Sequence, residues 1–128
     1  MGLQEQLKER SKRFAVRIVQ IVRILPKSDE ARTIGRQLFR SATSIAANYR
    51  AACRSRSRAE FVAKIGIVVE EADETVFWLE LLRDAGILDS KKLAPELKEA
   101  NELLAIFAAS QITAKRNSLN RRVSQMIQ

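Results

Sequence analysis

The chain has 128 residues, 46% of them hydrophobic, with four glycines and two prolines, which fits one domain with a proper core and excludes two comfortable ones. Its formal net charge of +8 favours a polyanionic partner, either nucleic acid or an anionic membrane surface. Histidine is absent, which excludes Ser-His-Asp and Cys-His catalysis and histidine metal sites, so we expect no enzyme activity, metal or cofactor.

The first two predicted elements are long amphipathic helices, because apolar residues recur with a period near 3.6. The first helix runs from about Gln4 to Leu25 and ends at Pro26. The second begins after Ser28, a predicted N-cap, and continues to about Arg54.

Two further helices follow. The sequence Ser57-Arg58-Ala59-Glu60 has capping-box spacing and opens a helix that runs to about Asp84 and is terminated by Gly86. Ser90 is predicted to cap a fourth segment, which Pro95 kinks or restarts and which ends near Arg116. Short links between such helices predict an all-α, antiparallel up-and-down four-helix bundle over residues 1–116, with a frayed or extended basic tail over 117–128.

The positive charge is concentrated in the first half of the chain and at its end. Residues 1–58 contain 14 Lys or Arg against four acids, residues 59–102 five against 11, and residues 103–128 four against none. On a wheel of about 100° per residue, five arginines of the second helix share one face over about 33 Å, and two more follow in the next turn. We name these seven the basic ridge: Arg32, Arg36, Arg40, Arg50, Arg54, Arg56 and Arg58.

This basic ridge is predicted to bind the phosphates of RNA or DNA, together with four cations near the C-terminus. Guanidinium groups contact phosphate through paired hydrogen bonds, which ammonium groups do not form. The alternative is a solvated face or a set of ion pairs to neighbouring acids. Few aromatic residues interrupt the ridge, so neither base stacking nor sequence-specific reading is predicted. The C-terminal cations are Lys115, Arg116, Arg121 and Arg122.

The third helix carries a second apolar face in addition to its core stripe. Ile67, Trp78 and Leu81 lie on that face, interrupted by Glu70 and Glu74. A charge-rimmed apolar patch with a tryptophan is typical of a protein interface, so these five residues are predicted to form a homo-oligomer contact. The alternative is that Trp78 belongs to a broad core.

The remaining polar groups favour structural roles. The acidic cluster from Glu70 to Glu74 is predicted to pair with arginines of a neighbouring helix or subunit rather than to bind metal or act as acid and base. Cys53 is predicted to be a small buried residue, since no histidine could activate it. The single cysteine and the lack of a signal peptide or spanning segment predict a cytoplasmic protein.

A family resemblance lies in the second helix. The run Gln37–Asn48, followed by Arg54-Ser55, Phe61 and the acidic-aromatic helix Glu70–Leu82, resembles the bacterial four helix bundle protein family. That family includes proteins encoded in intervening sequences of the large-subunit ribosomal RNA gene. It also includes the accessory variability determinant (Avd) proteins of diversity-generating retroelements.

The resemblance implies a ring-like or barrel-shaped homopentamer with a positively charged surface and, for the retroelement members, binding to nucleic acid and a reverse transcriptase. Asn48 matches the family's motif asparagine, with either a functional or a structural role. The leading hypothesis is therefore a non-catalytic nucleic-acid-binding accessory protein that partners the reverse transcriptase of a diversity-generating retroelement. The alternative is a stand-alone ribosomal-RNA-associated protein or protein scaffold without that partner. No membrane partner is expected.

Overall fold

A computed structural model describes residues 2–127 and contains four α-helices, with no strand in that range. These are α1 (Leu3–Arg23), α2 (Asp29–Ala52), α3 (Arg58–Asp84) and α4 (Ser90–Ile127). Each helix packs against the next one in the chain, and α4 also contacts α1. The predicted all-α, four-helix class is confirmed.

Three predicted helix ends are confirmed at the level of hydrogen bonds and backbone conformation. Ser28 Oγ accepts a hydrogen bond from the backbone N–H of Ala31 at 3.3 Å, and Ser57 Oγ accepts one from the N–H of Glu60 at 3.1 Å. Gly86 follows α3 with a φ of 69°, the left-handed conformation that a Schellman C-cap requires. The turns between helices are therefore short and well defined.

The beginning of α4 differs from the prediction in two ways. Asp89, not Ser90, supplies the capping oxygen, because Asp89 Oδ1 accepts a hydrogen bond from the N–H of Lys91 at 3.0 Å. Pro95 lies inside one continuous helix, so of its two predicted effects, a restart or a kink, the restart is wrong. A proline near a helix start removes only one hydrogen bond from the first turns, which the rest of a long helix can offset.

The expected end of α4 near Arg116 is wrong, because the helix continues to Ile127. The segment 117–127 contains neither glycine nor proline, and extending an existing helix costs far less than nucleating one. Gln128 lies outside the described residues. The division of the chain into a domain over 1–116 and a tail over 117–128 stays a prediction.

All four helices contribute to one apolar core. On α2, Leu38, Ile45 and Tyr49 are buried, and the Tyr49 ring lies 4.9 Å from that of Phe107 on α4. Burial raises the pKa of the Tyr49 hydroxyl well above its ordinary value. The core therefore fixes the rotation of α2 and turns its arginine face towards solvent.

One buried hydrogen bond joins α2 to α3 within this core. The hydroxyls of Ser41 and Thr75 lie 2.8 Å apart, and both residues are fully buried. Each hydroxyl also has a backbone acceptor in its own helix, the carbonyls of Leu38 and Glu71. The two polar groups are thus satisfied without water.

The seam between α1 and α4, where these helices share the least contact, is closed by ion pairs. Arg10 contacts Glu99 at 2.6 Å and Glu102 at 2.6 Å, and Arg17 contacts Glu96 at 2.9 Å. The hydrogen bonds from Arg10 lower the pKa of Glu99, while the same carboxylate raises the pKa of Arg10. Charge pairing therefore supplements a thin apolar contact.

The Glu99 ion pair predicts acid sensitivity. Because the pKa of Glu99 is lower in the folded protein, its contribution is full above the ordinary pKa of 4.5 and is lost as the pH falls through the lowered value. We expect the urea midpoint to fall between pH 6 and pH 3, and Glu99→Gln to cost about 1 kcal/mol at pH 6 and much less at pH 3. An equal cost at both pH values would contradict this role.

Candidate nucleic-acid interface

All eleven cations predicted to bind nucleic acid have exposed side chains. The core positions of α2 hold its ridge arginines away from the interior, and the loop before α3 carries Arg56. The structure divides the basic ridge into separate parts, however, because its arginines differ in their partners.

Arg40, in the middle of α2, is neutralised by acids of α3. One of its guanidinium nitrogens donates to both Glu71 carboxylate oxygens at 3.1 Å, and another pairs with Glu74. The hydrogen bonds to Glu71 raise the pKa of Arg40 further above its ordinary value. The prediction that the acidic cluster pairs with arginines of a neighbouring helix is therefore confirmed for two of its members, and Arg40 is the ridge residue that meets them.

Two other ridge arginines form weaker ion pairs with nearby acids. Arg32 lies 3.5 Å from Asp29, and Arg56 lies 3.9 Å from Glu60, both between exposed or partly exposed side chains. Such surface pairs contribute little and exchange readily. Within residues 2–127, eight predicted cations have no ion pair or side-chain hydrogen bond: Arg36, Arg50, Arg54, Arg58, Lys115, Arg116, Arg121 and Arg122.

A groove lies where the end of α1 meets the start of α2, and we name it the turn groove. It has a volume of about 530 Å³. Buried Gly35 lines it, and a Cβ there would lie only 3.0 Å from Leu25 Cδ1, so the Leu25 side chain of the turn packs closely against α2. The lining side chains are Val22, Arg23, Leu25, Pro26, Lys27, Ala31, Arg32, Gly35, Arg36 and Phe39.

The sequence analysis missed Arg23, Lys27 and Phe39 as members of this site. Phe39 lies on α2 directly before Arg40, and 46% of it is exposed, so an aromatic side chain is present beside the ridge. Antiparallel pairing across Pro26 was the signal that could have placed Arg23 and Lys27 beside Arg36.

The opposite end of the bundle carries the second cationic group, which we name the basic end: Arg56, Arg58, Lys115 and Arg122. A cleft there is lined by Arg56, Arg58 and Asn117, which brings the loop before α3 against α4. A smaller cleft is lined by Lys115 and Arg122 beside α3. Two separately predicted groups, the end of the ridge and the C-terminal cations, are thus brought together.

Arg50 and Arg54 line a third cleft between α1 and α2. They share it with Lys8 and Lys12 but also with Glu5 and Glu9. Its volume is about 450 Å³. This cleft runs along α2 towards the basic end, and the side that α1 contributes carries both lysines and glutamates.

Asn48, the motif asparagine, lies near the end of α2, and Cys53 directly follows that helix. Asn48 donates from its side-chain nitrogen to the Ser44 carbonyl at 2.9 Å, a bond within its own helix. Burial raises the pKa of the Cys53 thiol, which keeps the thiol protonated and a poor nucleophile. Both observations favour roles in folding.

The predicted oligomer face of α3 is only partly free. Ile67 is 42% exposed and Glu70 and Glu74 are exposed, whereas Trp78 and Leu81 are half-buried, and Trp78 packs against the core. Phe77, which the sequence analysis missed, is 54% exposed and meets the Trp78 ring edge-on at 4.9 Å. The outer face of α3 thus presents Ile67 and Phe77 to solvent.

Two further classes of site are absent from the described part of the chain. Between residues 2 and 127, no group of three or more Cys, Asp or Glu side chains is placed to hold a metal ion. No helix in that range is long and apolar enough to cross a membrane.

Comparison with known proteins identifies a family. The model of the family described as "23S rRNA-intervening sequence protein" matches residues 4–109. A crystal structure of a protein of unknown function from the S23 ribosomal protein family of Bacteroides thetaiotaomicron is 33% identical, with a TM-score of 0.77. The match covers 82% of this chain and 97% of that one. No match was found among the curated proteins.

Proposed function

From the premise that the chain belongs to the 23S rRNA-intervening sequence protein family, we propose that it is a non-catalytic nucleic-acid-binding protein. RNA or DNA phosphates are held at the turn groove, along Arg50 and Arg54, and at the basic end. Arg40 serves to fasten α2 to α3 and does not contact phosphate, because two carboxylates already occupy its donors.

The observation that carries this proposal is the set of eight exposed cations that form no ion pair or side-chain hydrogen bond within residues 2–127. The chain pairs other arginines closely, as Arg10, Arg17 and Arg40 demonstrate, so acids are placed where a pair is needed. Seven of the eight are arginines, which lie on α2, in the turn after it, at the start of α3 or in the C-terminal part of α4, and arginine is the side chain best suited to phosphate. Unpaired, exposed guanidinium groups are available to a polyanion without first breaking an internal contact.

The separation of the two ends matches an extended ligand. Arg32 and Arg50 lie near the two ends of α2, 18 positions apart, which corresponds to about 27 Å. A duplex carries one phosphate about every 1.7 Å of its axis, counting both strands, so one short nucleic-acid segment could contact both ends. A small anion could not.

The test is a titration of a labelled RNA hairpin and a labelled DNA duplex by fluorescence anisotropy over a salt series. If the cations contact phosphates, the logarithm of the affinity falls linearly with the logarithm of salt, with a slope near −0.9 per contact on a duplex. No binding at about 50 mM salt would contradict the proposal. Capture of a protein partner that survives nuclease treatment would favour the protein-scaffold alternative instead.

Self-association through the outer face of α3 is part of the same proposal. Ile67 and Phe77 offer exposed apolar area, and Glu70 supplies a charged rim, as oligomer interfaces often do. We expect light scattering to give a mass several times that of one chain, five times if the family resemblance extends to stoichiometry. Ile67→Glu should lower that mass, and a monomeric wild type would contradict the interface.

The reverse-transcriptase partner remains the favoured biological setting. It rests on the family resemblance rather than on any contact in this chain. A reverse-transcriptase gene and a variable repeat beside the gene would support it, and their absence would favour a stand-alone, ribosomal-RNA-associated protein.

A further inference from the structure

We propose that the turn groove binds an unpaired nucleotide, with the base stacked on Phe39 and the adjoining phosphate held by Arg23 and Arg36. This inference rests on the proposed nucleic-acid binding and adds the class of structure that is bound, a single-stranded or looped segment. The sequence alone did not predict base stacking, because few aromatic residues interrupt the basic ridge.

The groove has the composition that a nucleotide needs. Its floor is apolar, formed by residues such as Val22, Leu25 and Ala31, and its rim carries four cations. No carboxylate lines the groove, and the acid beside its rim, Asp29, lies 3.5 Å from Arg32. A volume of about 530 Å³ lies within the range of pockets that bind small organic ligands.

The arrangement of side chains on α2 favours stacking. Phe39 and Arg36 are three positions apart, so they are neighbours on one face of the helix. The Phe39 ring is 46% exposed, and Arg23, Lys27 and Arg36 form no ion pair within residues 2–127. Recognition of unpaired bases commonly combines an aromatic platform with nearby cations.

The other clefts lack this combination. The cleft at the basic end contains Phe61, but that ring packs against the core and is only partly exposed. The cleft with Arg50 and Arg54 contains two carboxylates and no aromatic side chain. The turn groove therefore joins a half-exposed aromatic ring to three cations, Arg23, Lys27 and Arg36, that form no ion pair within residues 2–127.

The experiment compares Phe39→Leu with wild type on two RNAs of equal charge, a hairpin with an unpaired loop and a fully paired duplex. We expect the variant to bind the hairpin about tenfold more weakly and the duplex within about twofold, because stacking is available only to unpaired bases. The salt slope should not change, since no charge is removed. Phe39→Tyr, which keeps the ring, should retain wild-type affinity for both RNAs.

The outcomes separate this inference from the function on which it rests. If wild type binds both RNAs with a steep salt dependence but Phe39→Leu changes neither, or both equally, the stacking site is wrong and phosphate binding stands. If wild type binds neither RNA, the proposed function itself fails. Equal unfolding midpoints confirm that the variants are folded, so that a weaker affinity reports on the groove.

Discussion

A variant in which four arginines are replaced by glutamine is expected to bind RNA about a hundredfold more weakly than wild type near 0.1 M salt. The substitutions are Arg36→Gln, Arg50→Gln, Arg54→Gln and Arg58→Gln. These arginines are exposed and have no ion pair within residues 2–127, so replacing them removes phosphate ligands without leaving a buried charge. The salt slope should become shallower by roughly 0.7 to 0.9 for each phosphate that the variant no longer neutralises.

A control variant separates specific binding from net charge. The control removes the same number of positive charges, four, from α3 and α4 by the substitutions Lys64→Gln, Lys91→Gln, Lys92→Gln and Lys98→Gln. If the surface is specific, this control weakens binding far less than the arginine variant. Arg40→Gln should leave affinity within about twofold, because Arg40 is already held by Glu71 and Glu74. Equal effects of both fourfold variants would reduce the proposal to non-specific charge.

Phe107→Ala is expected to lower the free energy of unfolding by about 3 to 5 kcal/mol. The Phe107 ring is fully buried between the helices and lies against Tyr49 on α2. Truncation removes this apolar area and leaves a cavity that a bundle held by rigid helices can fill only partly. The free energy of unfolding of a small domain is only about 5 to 15 kcal/mol in total, so this variant would lose much of its stability.

Urea unfolding followed by circular dichroism measures this destabilisation, with Phe39→Ala as the matched control. Phe39 is the same residue type on a half-exposed site, so its truncation should cost less than about 1 kcal/mol. Similar costs at the two positions would contradict the assignment of Phe107 to the centre of the core.

The sequence predicted the helices and most of their ends because these depend on local chemistry. The helix ends at Ser28, Ser57 and Gly86 depend on residues only a few positions away, and each has the expected partner or backbone conformation. The cap of α4 was misassigned because Asp89 and Ser90 are adjacent and both suit the position. Helix extension past Arg116 was missed because a run of polar and basic residues resembles a tail unless its lack of breakers is weighed.

The candidate site was harder to predict, because a wheel describes only one helix. The wheel did not distinguish Arg40 from the other ridge arginines, because the acids that pair with it lie more than 30 residues away on α3. Phe39 was visible in the sequence, but its groove forms only when α1 turns back across Pro26. The grouping of Arg58 with Lys115 likewise requires the antiparallel packing of α3 and α4.

The hydrogen bond between Ser41 and Thr75 favours one register of α2 along α3. Displacement by one helical turn, about 5.4 Å, would break this bond at a cost of about 0.5 to 1.5 kcal/mol, while both hydroxyls would keep the carbonyls of their own helices. The same displacement would carry Arg40 past Glu71 and Glu74. The register that brings two small hydroxyls together inside the core is therefore also the one that places Arg40 beside Glu71 and Glu74 on the outside.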